Sequence, residues 1–396
     1  MILLIKLLLS IALYSCFAKE QSVVIYHLID QKNFGETDGS VLQGLFSCPQ
    51  SSEAKFTCEV VSTDSGLTGK DLMPNLSAKF RARQAANRNR SNTDAITVGL
   101  YSIHSWAAST WPHHPDRCAL PTFLNMAESE ESTGRFKKLF MHSFPGYDGN
   151  STTHPESTVQ RSYIREFNGG DLIPIVPFAS KLPASAYIAS TCHFSGRSRP
   201  LREILVSRLE KLSRVDSLGK CHRNEATTGH AGTPVLRSGK NEAETLKLKQ
   251  DVLSRYLFYF AFENTIESGY VTEKVFDALK AGAVPVYLGD PVTCRRMMPD
   301  PRAAIYADDF LVQGMDSDSL ENMNVDSLAA YLNYLIANET AYAEHLKWRE
   351  RFDPARLDPM LRVSWPCRIC KWATRAARDA SKQAEFKKAQ MQCQKL

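Results

Sequence analysis

Beyond its first eighteen residues the sequence has no apolar run of the roughly twenty residues that a membrane-crossing helix needs. It has no internal repeat and no long low-complexity stretch, which excludes solenoids, propellers and extended linkers. Charge of one sign is scarce as well. The 48 Lys and Arg against 43 Asp and Glu leave a net charge of +5, enough for a small anionic ligand but too little for wrapping a nucleic-acid backbone. Cys367-x-x-Cys370 has no second CxxC and no suitably spaced His pair, so disulfides are the better reading than zinc. What is present is 396 residues, 43% apolar and 23% charged, long enough for two domains with their own cores.

The first eighteen residues carry Lys6, the uncharged run 7–18 and the small Ala18 before Lys19, the layout of a signal peptide cleaved near Ala18. A short uncleaved signal-anchor, with Lys6 reaching back to the interface, is the alternative, and only then does the chain touch a membrane. Both readings place the remainder in the secretory lumen. Asn-x-Ser/Thr triplets at Asn75, Asn89, Asn150 and Asn338 agree with this. Nine cysteines follow Cys16, and in an oxidising compartment an odd number leaves at least one outside intramolecular pairs.

Runs rich in Val, Ile, Phe and Tyr predict strands at 21–29, 56–62, 95–103, 120–126 and 172–178, with a helix and loop over 75–94 and a loop over 150–162. The second half alternates more clearly. A strand at 187–191 is followed by helices at 200–213 and 242–257, a strand at 257–262, a helix at 272–281 and a strand at 283–288. Further helices are expected at 327–336 and 339–350, and a basic, helix-prone stretch from Trp365. Strands alternating with helices imply parallel βαβ units. The expected organisation is an α/β domain over 19–180, a second over 186–350, and a C-terminal helical extension over 351–396 that bears the CxxC.

Residues 257–291 read LFYFAFENTIESGYVTEKVFDALKAGAVPVYLGDP. A bulky apolar strand ends at Glu263 and Asn264, Gly269 relieves a tight loop, Thr272 caps a helix, and Gly282 stops it. The carboxyl end of such a strand, feeding a helix N-terminus, is where phosphorylated ligands bind in open α/β sheets. Lys274 in the first turn opposes the helix dipole unless an anion sits beside it; the plain alternative is a solvated lysine.

This stretch resembles the donor-binding signature of the α1,3/4-fucosyltransferase family, in which FxxAFEN leads through a short loop into Y(V/I)TEK and AVPVxxG. The matching residues are Phe258, Ala261, Phe262, Glu263, Asn264, Tyr270 to Lys274, Ala283 to Val286 and Gly289. Val215-Asp216-Ser217-Leu218-Gly219-Lys220-Cys221 resembles a second family motif, Asp308-Asp309-Phe310 a third, and Cys367-x-x-Cys370 the family's disulfide-forming CxxC. The resemblance covers about residues 187–370 and is loose before that. It implies two facing Rossmann-like α/β domains of the GT-B type, the second binding GDP-fucose and the first the acceptor.

Inverting fucosyl transfer needs stabilisation of the leaving diphosphate, a base for the acceptor hydroxyl, and positioning of the oxocarbenium-like centre. The resemblance assigns the diphosphate to Arg202 and Lys274, the first with a planar fork suited to phosphate. Glu273 is expected at the ribose hydroxyls, Asn264 and Tyr270 along the nucleotide or fucose pocket, and Glu263 at the fucose or its leaving oxygen. For Tyr270, plain core packing is the alternative. The base is expected at Glu128, in the acidic run 127–132, with Glu131 next. No metal ligand set is expected, no cofactor beyond the GDP-fucose donor, and divalent cations are at most stimulatory.

The resulting expectation is transfer of α1,3-linked fucose to N-acetylglucosamine of a glycan or glycoprotein acceptor, in the Golgi lumen. Fucosylation of a protein hydroxyl in the endoplasmic reticulum is one alternative. A non-catalytic glycan- or nucleotide-binding descendant is another.

Overall fold

The computed structural model describes residues 21–29, 44–46, 48, 56–62, 96–102, 122–125, 149–151, 154–157, 159–160, 162–163, 167, 169–189, 192, 201–222, 242–310, 325–376, 378–379, 381 and 384. The leader segment, the helix expected at 75–94, and Glu128, Glu131, Cys118 and Cys393 lie outside the described residues.

Two sheets organise the chain. The first is built from β1 (Gln21–Ile29), β2 (Gly44–Phe46), β3 (Phe56–Ser62), β4 (Ile96–Ser102), β5 (Thr122–Asn125) and β6 (Gly149–Ser151) in the order β2-β3-β1-β4-β5-β6. Only the edge pair β2–β3 is antiparallel. The second comprises β7 (Leu182–Tyr187), β8 (Val215–Ser217), β9 (Tyr256–Phe262), β10 (Val284–Leu288) and β11 (Ile305–Tyr306), all parallel, in the order β11-β10-β9-β7-β8. Numbered within each sheet and setting aside the edge strand β2, both follow the doubly wound order 2-1-3-4-5. The expectation of two α/β units with parallel sheets is met.

In the second sheet the pleat sends alternate side chains of β9 to opposite faces. Tyr259 and Ala261 join a core with Phe276, Leu279 and Leu253, whereas Phe258, Phe260 and Phe262 join one with Leu205, Leu209, Leu328 and Leu332. Helices α1 (Leu201–Leu209), α2 (Glu242–Leu253), α3 (Glu273–Ala281), α4 (Pro291–Met297) and α5 (Val325–Ala337) supply these partners, with α2 and α3 on one face and α1 and α5 on the other. Burial on both faces explains why β9 reads as a continuous apolar run.

At the amino-terminal edge of this sheet Lys181, 6% exposed, donates to the carbonyls of Ser254 at 2.6 Å, Tyr256 at 3.2 Å and Gly282 at 3.0 Å. One buried ammonium thus ties the entries to β7 and β9 to the end of α3, with all three of its donors used.

Several sequence expectations need correction. Residues 172–178 form no strand. Pro174 and Pro177 remove ladder donors, and the Ile173 amide instead donates to the Lys280 carbonyl at the end of α3. The strand expected at 187–191 begins five residues earlier, at Leu182. Strand β8 coincides with Val215-Asp216-Ser217, and α4 occupies a stretch for which no helix was expected.

After α6 (Glu339–Glu344) and α7 (Pro359–Arg362) comes α8 (Trp365–Ala376), which packs on β1, β3 and β4 of the first sheet. Disulfides Cys48–Cys367 and Cys58–Cys370 fasten it there, so the CxxC cysteines are indeed bridged. A third bridge joins Cys192 to Cys221, and Cys294 is a buried thiol.

Gly219 shows why the motif around it tolerates no side chain. A Cβ there would lie 2.2 Å from the carbonyl oxygen and 2.5 Å from the nitrogen of Ala189, whose carbonyl receives the Lys220 and Cys221 amides. Both obstacles are backbone and have no rotamer in which to retreat. Gly219→Ala is expected to lose at least about 3 kcal/mol of stability, read as a shift in the urea midpoint. A loss under about 1 kcal/mol would show that this crossing yields easily.

Candidate active site

In a 2-1-3-4-5 sheet the strand order reverses between the first and third strands, and a crevice opens at their carboxyl ends. In the second sheet these are β7 and β9. The chain leaving β7 enters α1, whose second residue is Arg202; the chain leaving β9 continues at once into Glu263 and Asn264. Arg202 is 3% exposed, so it is no surface arginine, and its Nη1 donates to Asn264 Oδ1. That hydrogen bond crosses the reversal point.

The loop from β9 to α3 is held by Glu263. Its Oε1 accepts from the Thr272 amide at 2.7 Å, and its Oε2 from Thr272 Oγ1 at 2.7 Å and from Lys274 Nζ at 3.0 Å. The carboxylate is wholly buried and Lys274 is 13% exposed. Burial pushes the Glu263 carboxyl up while Lys274 pulls it down. Burial also pushes Lys274 down, but Glu263 and Glu273 more than offset this and leave its pKa raised. The ammonium therefore stays charged in the first turn of α3, and Glu263 accounts for its presence at an otherwise unfavourable dipole end.

One expectation changes as a result. Thr272 occupies the N-cap position, but its hydroxyl donates to Glu263 and accepts from Lys274 Nζ at 2.8 Å rather than capping the helix. The Glu263 carboxylate, expected at the fucose or its leaving oxygen, is engaged by three protein donors, one of them Lys274. Glu273 stands beside it at the start of α3, with its side chain 42% exposed and 3.6 Å from Lys274 Nζ. Tyr270 is 2% exposed and packs edge-on against Tyr163 with ring centroids 6.0 Å apart.

Sequence reasoning passed over one further support. Asp290 caps α4 through Val292 N at 3.0 Å and also accepts from the Gly269 amide at 2.7 Å, tying the tip of the loop to the next helix. Asp before Pro291 at the first helical position was the available signal. Gly269 takes φ +84°, which glycine adopts without strain. At Gly289, just after β10, a Cβ would lie 2.2 Å from the hydroxyl of Tyr287, two residues earlier in the chain, and 2.9 Å from Glu263 Cγ.

Arg202, Asn264, Glu273 and Lys274 thus gather where the strands end, while Tyr270 packs below. Glu128 lies outside the described residues. Arginine and lysine side chains at the carboxyl ends of parallel strands suit a phosphorylated ligand.

Residues 178–390 match the family described as "Glycosyltransferase family 10 (fucosyltransferase) C-term". The chain belongs to this family.

Among curated relatives of this family-10 chain, a fucosyltransferase-like protein of Arabidopsis thaliana is 31% identical over 281 residues, 69% of this chain and 48% of that one. GDP-fucose protein O-fucosyltransferase 3 of Xenopus laevis is 30% identical over 169 residues, 43% of this chain and 31% of its own length. The 4-galactosyl-N-acetylglucosaminide 3-alpha-L-fucosyltransferase of Homo sapiens is 35% identical over 122 residues, 31% and 29% of the two chains. The family-10 chain thus spans less than half the length of each of these relatives. A crystal structure of an alpha1,3-fucosyltransferase aligns over 92% of both chains, with a TM-score of 0.48 and 13% identity.

Proposed function

We propose that the chain transfers L-fucose from GDP-fucose, with inversion, to form an α1,3 linkage on N-acetylglucosamine of glycoprotein glycans. The observation that carries this reading is the Arg202–Asn264 contact across the strand-order reversal, together with the Lys274 ammonium held by Glu263, the residue before Asn264. In the proposed reaction the bond from the fucose anomeric carbon to the GDP oxygen breaks as one to the acceptor oxygen forms. Arg202 and Lys274 take up the charge growing on the departing diphosphate, Glu273 holds the ribose, and Glu128 receives the acceptor proton. None of these roles calls for a metal ion. The lumen of the Golgi is the proposed location, reached through the leader segment.

Transfer to a protein hydroxyl in the endoplasmic reticulum is the second reading, favoured by the O-fucosyltransferase relative, which aligns over more of this chain than the human glycan-directed one does. Turnover of radiolabelled GDP-fucose by the secreted full chain, on glycan and protein acceptors with chelator present, separates the two. Wild-type transfer is expected to survive chelation, Arg202→Ala to lower it roughly 100–1,000-fold, and Glu128→Gln roughly 100–10,000-fold. Tight GDP binding without transfer to either acceptor would point to a non-catalytic descendant. Absence of GDP binding would sink the reading altogether.

A further inference from the structure

A cluster of buried polar side chains meets Arg202 at its Nε. At its centre is Glu203, 1% exposed. Its Oε1 accepts from the Tyr187 hydroxyl at 2.6 Å and from Arg202 Nε at 3.1 Å, and its Oε2 lies 2.9 Å from His222 Nε2. These partners come from three places in the chain: the last residue of β7, the first turn of α1, and the residue following Cys221. His222 is held with φ +53°, the positive-φ position among the described non-glycine residues, next to the Cys192–Cys221 disulfide. Its Nδ1 also faces Glu210 Oε2 at 3.6 Å.

Adjacent residues on a helix do not normally face one another, so an Arg202–Glu203 ion pair is no default of helix geometry. It exists because Tyr187 and His222 hold the carboxylate on the Arg202 side. A carboxylate this deeply buried is strongly disfavoured without partners; Tyr187 and Arg202 donate to its Oε1, and the His222 ring stands beside its Oε2. The guanidinium is then gripped at Nε by Glu203 and at Nη1 by Asn264, which fixes its plane as well as its position.

We propose that Glu203 is the positioning residue for Arg202, with Tyr187 and His222 as its anchors, and that it sets the guanidinium plane for a nucleoside diphosphate. The proposal rests on the reading of Arg202 as a diphosphate ligand. A merely structural role for Glu203 predicts lost stability with GDP affinity unchanged in the folded fraction; positioning predicts lost affinity that depends on Arg202.

The test is GDP titration calorimetry on the full chain, in a cycle combining Glu203→Gln with Arg202→Ala. Glu203→Gln alone is expected to weaken GDP binding roughly 10–100-fold, the scale of one charge-assisted hydrogen bond. In the Arg202→Ala background the same change is expected to have no further effect. Tyr187→Phe, which keeps the ring and removes one anchor, is expected to weaken binding by a smaller factor with the same dependence, and it carries the test if Glu203→Gln does not fold. Wild-type affinity in folded Glu203→Gln or Tyr187→Phe, or equal losses in both backgrounds, overturns the positioning role. Wild-type affinity in Arg202→Ala instead overturns the assignment of Arg202, and the proposal falls with it.

Discussion

Serine at all four of Cys48, Cys58, Cys367 and Cys370 is expected to prevent folding, whereas serine at both ends of either bridge alone costs about 3 kcal/mol. The difference follows from how the two bridges share their loops. They join residues 319 and 312 apart in sequence, and the first to close removes the entropy of a loop of about that length, roughly 6 kcal/mol in the chain-entropy account. With one bridge in place, the other closes only a small ring of about 15 residues running through its neighbour, which contributes about 3 kcal/mol. Losing either therefore leaves the large loop closed, while losing both removes about 9 kcal/mol from a chain whose whole stability is on the order of 5–15 kcal/mol. Urea midpoints for the two single-bridge variants, and protease resistance of the four-serine variant, test this. A four-serine variant that loses only twice the single-bridge amount would show that the bridges act independently within the native fold.

Lys274→Met is expected to cost about 3–5 kcal/mol, because it leaves the Glu263 carboxylate buried without its cation. Glu263→Gln combined with Lys274→Met should recover most of that loss, since the pair is then replaced by neutral groups of similar size. GDP affinity should separate from stability in the same series. On the proposed reading both variants lose the ammonium that faces the diphosphate, so neither recovers binding. Urea denaturation and GDP titration of the two proteins check the point. A Lys274→Met protein as stable as wild type would mean that Thr272 alone satisfies Glu263. Recovered GDP binding in the double variant would remove Lys274 from the donor site.

The strands and helices around the donor loop were legible because their signals were local. An apolar run ending at Glu263, a glycine at 269 and a stop at Gly282 fix β9, the loop and α3 within a residue. Residues 172–178 misled because Leu172, Ile173, Ile175 and Val176 look strand-like, whereas the two prolines deny the ladder its donors and the segment bonds to a helix end instead. At the site, the residue types were legible but their partners were not. Nothing local shows that Glu263 spends its carboxylate on Thr272 and Lys274, or that Glu203 is buried against a tyrosine and a histidine sixteen and nineteen residues away in sequence. Those facts arise from the parallel order of the sheet, which brings β7, β8 and β9 side by side.

The return of α8 to the first sheet has a consequence for how the protein is made. A chain synthesised at roughly 5–20 residues per second completes Cys58 some 15–60 s before Cys370, its partner 312 residues later, is joined. Throughout that interval the surface later covered by Trp365, Ile369 and Ala373 is bare, and Cys48 and Cys58 are open to pairing with the wrong thiol. The second sheet draws its strands from 182–306 and can close first. The half of the protein that is translated earliest is thus the half that matures last, so its yield should depend on the chaperones and disulfide isomerases that attend it while it waits.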